Sequence, residues 1–180
     1  MKLMISRLAF FMASASLFCF GATIPRPAPE LMIKTVGGGE TRLSSMKGKV
    51  IAVEFILTTC PHCQNSSRNI NKVYNELGAK GFTAVGVAVN QMSQLYIPDF
   101  IRDHKINYLI GYQHQDAADA FLQHTPQTIM YFPQFVLIDR KGMIRYQFDG
   151  NDKHFENEEK SLREKVLQLL NEGGSPASKK

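Results

Sequence analysis

Tryptophan is absent from this chain of 180 residues, and cysteine is scarce, with three residues. Three cysteines are too few for the multiple disulfides that hold small secreted scaffolds together. The net charge of +5 is spread along the chain apart from the terminal pair Lys179 and Lys180, so there is no concentrated basic face for nucleic acid. A composition of 44% hydrophobic and 21% charged residues excludes disorder and fibrous repeats, and the length suits about one globular domain.

The first 22 residues have the pattern of an export signal. Residues 1–7 include two basic side chains, residues 8–20 are uncharged and largely apolar, and two small residues follow. This order is typical of a secretory signal, and the apolar run is shorter than the about 20 residues of a membrane-spanning helix. We therefore predict export, to the periplasm in a bacterium. Residues 1–22 are either removed or kept as an N-terminal anchor, which would make the only membrane contact.

Removal of that segment would take Cys19 with it and leave one close pair of cysteines, Cys60 and Cys63. In an oxidising compartment such a pair serves as a redox group, as a structural disulfide or as half of a metal site. A structural zinc site would need further ligands, but the sequence contains no second CxxC and no spaced histidine pair. A disulfide within a CxxC closes a loop too small to stabilise the fold much. Redox chemistry is the interpretation that remains favoured.

The rest of the chain alternates between strand and helix patterns. A proline-rich linker is expected over residues 23–30, a folded domain over residues 31–172 and a flexible tail over residues 173–180. Strands are predicted over residues 32–36, 50–57, 82–89, 108–112, 134–139 and 143–148. Helices are predicted from the CxxC to Gly78, over residues 95–105 and 116–123, and around an apolar stripe at Leu162, Val166, Leu169 and Leu170. Such alternation indicates an α/β sheet with helices on both faces.

The CxxC stands where a buried strand ends and a helix begins. Free N–H groups and the dipole at a helix N-terminus favour an anion, so Cys60 is expected to react as the nucleophilic thiolate. Pro61 suits the first helical position because it has no N–H to leave unpaired. His62 adds a donor, or a positive charge, near the sulfurs. Cys63, one turn further and less exposed, is expected to resolve a mixed disulfide.

Glu54 interrupts the apolar run of residues 50–57. Burial would raise the pKa of this carboxyl, which would allow it to accept or return the proton of Cys63 during exchange. The alternative is a glutamate that points to solvent. The apolar residues on both sides favour the functional interpretation.

These residues resemble the thioredoxin superfamily, in particular its exported TlpA-like (redoxin) branch. The resemblance covers roughly residues 30–170, and residues 43–50 are similar to the segment that leads into the central strand of that branch. Glu54 falls where thioredoxins carry a buried acid, and the sequence CPHC resembles the active site, with the dipeptide of the DsbA-type oxidants. Pro133 precedes residues 138–142 as the cis-proline of the family precedes its Ile-Asp-x-x-Gly hairpin.

The resemblance implies a thioredoxin fold: a central mixed β-sheet flanked by helices on both faces, with an N-terminal TlpA-type extension. It also implies a dithiol–disulfide oxidoreductase with no cofactor and no metal, only the redox-active disulfide Cys60–Cys63. The implied partners are protein thiols and disulfides together with a membrane redox partner. Phe132 and Pro133 are expected to bind an extended substrate segment, because a cis-proline turns the preceding backbone towards it.

The sequence leaves the direction of exchange open. His62 favours an oxidant, whereas the resemblance to the branch favours a reductant. Thr59, Ser66 and Arg68 replace the Trp, Glu and Pro that many relatives carry, so the partner is not assigned. The main alternative function is a Cu(I) chaperone that uses the same two thiolates.

Three further features are interpreted more simply. The apolar residues 129–132 are either a groove beside the site or, alternatively, an edge strand or core packing. His154 is expected to be a loop histidine without a role. Residues 157–160 are expected to form a solvated helix start.

Overall fold

The computed structural model describes residues 23–125 and 127–172. The export signal predicted for residues 1–22 and the tail predicted for residues 173–180 therefore lie outside the described residues. In the part that is described, no helix combines the length and the apolar composition needed to cross a membrane.

An eight-stranded sheet forms the centre of the molecule. Its strands, in chain order, are β1 (Arg26–Pro27), β2 (Met32–Lys34), β3 (Glu40–Arg42), β4 (Val50–Ile56), β5 (Phe82–Ala88), β6 (Leu109–Tyr112), β7 (Gln134–Ile138) and β8 (Met143–Phe148). Their spatial order is β1-β8-β7-β4-β5-β6-β2-β3. Strands β4, β5 and β6 run parallel, and the other neighbours pair antiparallel, so the sheet is mixed as predicted.

Helices cover both faces of this sheet, which confirms the predicted layering. They are α1 (Pro61–Leu77), α2 (Ser93–His104), α3 (Gln115–Leu122) and α4 (Glu158–Glu172). Side chains of α1, α2 and α4 share one apolar core with the sheet, whereas α3 packs into a second core on the opposite face. All four helices were expected from the sequence, and their ends differ from the expected ones by a few residues.

The central strand β4 contributes to both cores because successive side chains of a strand point to opposite faces. Val50, Ala52 and Ile56 lie in the core beneath α1 and α4. The residues between them, such as Val53 and Phe55, lie in the core beneath α3. Glu54 has the parity of the first group, so its carboxyl points towards α1 and α4.

The N-terminal part differs from its sequence prediction in two respects. Within the segment predicted as a linker, residues 23–30, Arg26–Pro27 pairs with β8 and thereby joins the sheet. Strand β3 (Glu40–Arg42) was not expected, because its sequence is polar and lacks alternation. It pairs with β2 in a hairpin at the edge of the sheet, and the connection between the two strands contains three glycines. An exposed polar strand suits an edge position.

Two interpretations near the start of α4 were wrong. His154 is not a loop residue: it lies in a 3₁₀ turn (Lys153–Asn157) and is buried. Glu158 is not solvated: it is the first residue of α4 and only 3% exposed. The aromatic side chains of β7 and β8 cover His154. The packing of α4 on α1 covers Glu158. Neither contact can be predicted from the sequence around these two residues.

His154 is enclosed by aromatic rings. Its ring stacks on Phe148 at 4.2 Å and on Phe135 at 5.3 Å, and Phe155 meets it edge-on. Its Nδ1 lies 3.0 Å from the Ser161 hydroxyl. Burial, assisted by the positive charge of nearby Lys165, lowers the pKa of His154 from 6.5 to about 4.

We predict that this histidine makes the fold acid-sensitive. Between pH 6.5 and about 4 the unfolded chain binds a proton at His154 that the folded chain does not, so stability is lost as the pH falls through this window. By pH 4 the loss attributable to His154 is about 3 kcal/mol. Urea unfolding of His154→Phe at a series of pH values should show a shallower loss than wild type. His114→Phe, which alters an exposed histidine, is the control and should follow wild type; equal slopes for His154→Phe and wild type would contradict the prediction.

Candidate functional site

Three chain segments meet at one edge of the sheet. Phe55 near the end of β4 pairs with Gln134 at the start of the antiparallel β7. The segment that follows β4 and the segment that precedes β7 therefore lie side by side. Strand β5 runs parallel to β4, and the Val89 N–H donates to the Ile56 carbonyl, so the segment that follows β5 reaches the same edge.

Hydrogen bonds hold the turn between β4 and α1. The Thr58 N–H donates to the Asn90 side-chain oxygen at 2.9 Å, and the Gln64 amide donates to the Thr58 carbonyl at 3.1 Å. The Cys60 N–H donates to the Leu57 carbonyl at 3.0 Å. The chain therefore enters the helix with Cys60 in a defined position.

The four residues of the CPHC motif differ in exposure. Cys60 is the N-cap of α1 and is half-buried, and Pro61 occupies the first helical turn, as the sequence predicted. Pro61 and His62 are exposed, whereas Cys63 is completely buried. Both cysteines are free thiols.

The pKa of the Cys63 thiol is raised far above its ordinary value. Burial is the main cause, and the neighbouring Cys60 and Glu54 also disfavour a negative charge on Cys63. A hydrogen bond with the Leu57 backbone acts in the opposite direction. Cys63 therefore needs a base before its sulfur can attack.

Glu54 is buried, with 1% of its surface exposed, as the functional interpretation of the sequence required. The Tyr108 and Ser67 hydroxyls donate to its Oε1, the latter at 2.7 Å, and the Ser66 Oγ lies 3.5 Å from its Oε2. Burial raises the pKa of Glu54 to about 8, although these hydrogen bonds oppose the shift. A carboxyl with this pKa can both accept and release a proton near neutral pH.

Tyr108 and Gly86 belong to the surroundings of Glu54, but the sequence did not reveal their part in the site. Gly86 pairs with Glu54 across β4 and β5. A Cβ atom on Gly86 would lie 2.4 Å from the Ile110 Cδ1 and 3.3 Å from the Glu54 Oε1. The missing side chain thus leaves room for the carboxyl. A glycine inside an apolar strand was the available signal for such a close approach.

A second buried carboxyl, Glu158, lies close to the first. The Ser66 hydroxyl donates to its Oε1, and the Asn69 side-chain amide donates to its Oε2 at 3.0 Å. Burial raises the pKa of Glu158, and these two hydrogen bonds oppose the shift. Ser66 therefore stands between two carboxyls.

The segment before β7 carries the predicted substrate-binding residues. The Phe132–Pro133 peptide bond is cis, which is the bond expected from the resemblance. Pro133 is buried, and the half-buried Phe132 packs against both cores. The backbone at Tyr131 is held by the Gln134 side-chain amide at 2.6 Å and by the Gly150 N–H at 3.2 Å.

Gly150 was not recognised as a site residue from the sequence. A Cβ atom there would lie 2.8 Å from the carbonyl carbon and oxygen of Phe132. Gly150 thus permits the backbone of the cis-proline segment to lie where it does.

Residues 129–132 form no edge strand, but two of them pack against the cores, as the packing alternative expected. Ile129 is 75% exposed and Tyr131 is 46% exposed, whereas Met130 and Phe132 turn towards the cores. The outward pair presents apolar surface on the segment that leads into β7.

The described ranges contain no group of three or more His, Cys, Asp or Glu side chains that could hold a metal ion. The five histidines of the chain therefore add no ligand set to the two cysteines within those ranges.

The chain is 24% identical over 119 residues to the thioredoxin-like protein YneN of Bacillus subtilis, which is 66% of this chain and 66% of that protein. It is 19% identical over 136 residues to the thiol-disulfide oxidoreductase ResA of Bacillus thuringiensis, which is 76% of this chain and 75% of that protein.

A solved structure confirms the fold class. The crystal structure of a thiol:disulfide interchange protein of the thioredoxin family from Chlorobium tepidum is 25% identical to this chain and superposes with a TM-score of 0.68. The match covers 83% of this chain and 99% of that one. The chain has the thioredoxin-like fold that the sequence resemblance implied.

The family model described as Redoxin matches residues 24–166, which is most of the chain. That range includes both cysteines, Glu54 and the cis-proline segment. The chain therefore belongs to the Redoxin family.

Proposed function

We propose that the protein is an exported thiol–disulfide oxidoreductase that exchanges disulfides with protein substrates through Cys60 and Cys63. The observation that carries this proposal is the arrangement of the two sulfurs: one half-buried at a helix N-terminus, the other fully buried one turn later beside a buried carboxyl. Helix N-termini favour anions, which supports Cys60 as the attacking sulfur. The names of the relatives ResA and the Chlorobium protein agree with this chemistry.

The exchange takes place in two steps. The Cys60 thiolate attacks one sulfur of a substrate disulfide, a mixed disulfide forms, and the other substrate sulfur leaves as a thiolate. Cys63 then gives its proton to Glu54 and attacks the Cys60 sulfur, which breaks the mixed disulfide, releases the second substrate thiolate and forms the Cys60–Cys63 bond. The cysteine pair loses two electrons and the substrate gains them; the reverse sequence oxidises a substrate.

The apolar pair Ile129 and Tyr131 supports a polypeptide as substrate. Together with Phe132 and Pro133 it offers exposed side chains and a fixed backbone next to the CPHC turn. An extended substrate segment could pair with that backbone while its side chains contact the apolar surface. Pro61 and His62 are exposed at the CPHC turn and so are accessible to a substrate bound over the sulfurs.

The same proposal includes export of the protein and a redox partner in the membrane. Residues 1–22 have the pattern of a secretory signal. A membrane redox partner would renew the pair if the protein works as a reductant, whereas the Pro-His dipeptide favours oxidation of substrates. Equilibration against glutathione buffers gives the potential that separates the two directions. The Cu(I) chaperone gains no support, because the relatives reported above are not named for copper and the described residues bring no further metal ligands together.

The proposal predicts that Cys63→Ala traps substrates. Without the resolving sulfur, the mixed disulfide on Cys60 persists, so non-reducing gels of the producing cells should show adducts that disappear with reductant. Cys60→Ala is the matched control and should trap none. The absence of adducts on Cys63→Ala, together with a wild-type protein that cannot reduce insulin, would refute the proposed function.

A second prediction concerns Glu54. Because its pKa is raised to about 8, its base form increases as the pH rises through 8, and the rate of Cys63 attack should rise with it. Glu54→Gln should remove that inflection and slow the step by about a hundredfold near neutral pH, since general-base catalysis contributes about 10²–10⁴-fold. Single-turnover resolution of a mixed disulfide preformed on Cys60, followed by stopped flow, measures this step.

The same group provides an independent control through stability. A raised pKa stabilises the fold below the ordinary value of 4.5, and this stabilisation is lost as the pH rises through about 8. Glu54→Gln should therefore lose less stability than wild type between these values. An unchanged rate profile in a variant with the altered stability profile would exclude Glu54 as the base.

A further inference from the structure

The two buried carboxyls are joined by a single hydroxyl. Ser66 Oγ lies 3.5 Å from Glu54 Oε2 and within hydrogen-bond distance of Glu158 Oε1. A hydroxyl has one hydrogen to donate and lone pairs to accept with. Ser66 can therefore donate to one carboxyl only while it accepts from the other.

The donors around Glu54 determine which arrangement satisfies all atoms. Tyr108 and Ser67 both donate to Oε1, so Oε2 is the oxygen free to carry a proton. A proton on Oε2 can be donated to Ser66, whose own hydrogen then goes to Glu158. The raised pKa of Glu54, about 8, keeps this proton in place at neutral pH.

Glu158 stands at the outer end of this chain of hydrogen bonds. It borders a surface cleft between α1 and the start of α4, and its partner Asn69 lines the same cleft. The cleft is lined by Asn65, Asn69, Phe155, Glu156, Asn157, Glu158, Glu159, Lys160 and Arg163. Neither Cys60 nor Cys63 belongs to that lining, so a substrate bound over the sulfurs would leave the cleft open to water.

We propose that Ser66 and Glu158 are positioning residues of a proton path that connects buried Glu54 to the surface cleft between α1 and α4. The proposal rests on the proposed function, because the path serves the base that deprotonates Cys63. The proton of Glu54 moves to the Ser66 oxygen while the Ser66 hydrogen moves to Glu158. Glu54 is left as a carboxylate, Ser66 keeps its hydroxyl, and Glu158 releases the proton to water.

This path meets a need created by burial. Glu54 is 1% exposed and Cys63 is fully buried, so a docked polypeptide would remove their remaining access to solvent. An exit on another side lets Glu54 return to its base form for each turnover. The titratable and charged groups that face the path are Cys63 and Tyr108 at the inner end and Glu156, Glu159, Lys160 and Arg163 around the cleft.

The test uses single-turnover resolution of a mixed disulfide between Cys60 and a peptide thiol, measured from acid to alkaline pH. Ser66→Ala and Glu158→Gln should each slow this step about tenfold near neutral pH, a part of the factor that general-base catalysis supplies. Ser66→Thr keeps a hydroxyl and should recover the wild-type rate and pH profile. Glu159→Gln removes a carboxylate of the same cleft that pairs with Lys72 and Arg163 instead, and should leave the step unchanged.

Two results would overturn the path while leaving the proposed function intact. One is a wild-type rate and pH profile in Ser66→Ala; the other is a Ser66→Thr as slow as Ser66→Ala, which would assign Ser66 a packing role. If Glu158→Gln fails to fold, the Ser66 pair alone carries the test. A wild-type protein that forms no mixed disulfide on Cys60 would instead refute the proposed function itself.

Discussion

A carboxyl inside an apolar core is the constraint on which the site depends. An unpaired carboxylate in such surroundings is costly, so it must be hydrogen-bonded, protonated or both. Glu54 is both: hydroxyls from α1 and from the loop before β6 surround it, and burial raises its pKa to about 8. Gly86 leaves room for this carboxyl, and the two serines of α1, Ser66 and Ser67, place their hydroxyls next to it.

The same strand links that carboxyl to the sulfurs. Strand β4 carries Glu54 on the face beneath α1 and then turns directly into that helix, with Cys60 at its N-cap. Cys63 follows one turn later and lies buried beside Glu54. The antiparallel pairing of β4 with β7 brings the cis-proline segment to the same edge. A proton acceptor, two thiols and a substrate-facing backbone thus come together from strand pairing and one helix start.

Much of this arrangement follows from the sequence because its signals are local. The apolar run around Glu54, the CPHC motif before a helical stripe, and the spacing from Pro133 to the hairpin each lie within one short segment. Periodicity therefore predicted the central strands, the four helices and the position of Glu54. Strand β3 was not predicted because a short edge strand needs no apolar pattern.

The residues that were missed depend on contacts between distant segments. Glu158 contacts Ser66 in the fold, but in the sequence the two residues lie in α4 and α1, far apart along the chain. A glutamate in a charged run therefore gave no sign that it would be buried. His154 is buried by rings from β7 and β8, and the importance of Gly150 comes from its close approach to the Phe132 backbone. Such partners are decided by tertiary packing, which residue type and spacing alone do not specify.

The protonation state of Glu54 is the quantity on which the account most directly rests. Carboxyl ¹³C NMR of the reduced protein, labelled at glutamate and assigned with Glu54→Gln, would follow this group across pH. The account predicts a midpoint near pH 8 for Glu54. A midpoint near the ordinary value of 4.5 would contradict it, because Glu54 would then be a much weaker base towards the Cys63 thiol and could not cause a rise in rate near pH 8.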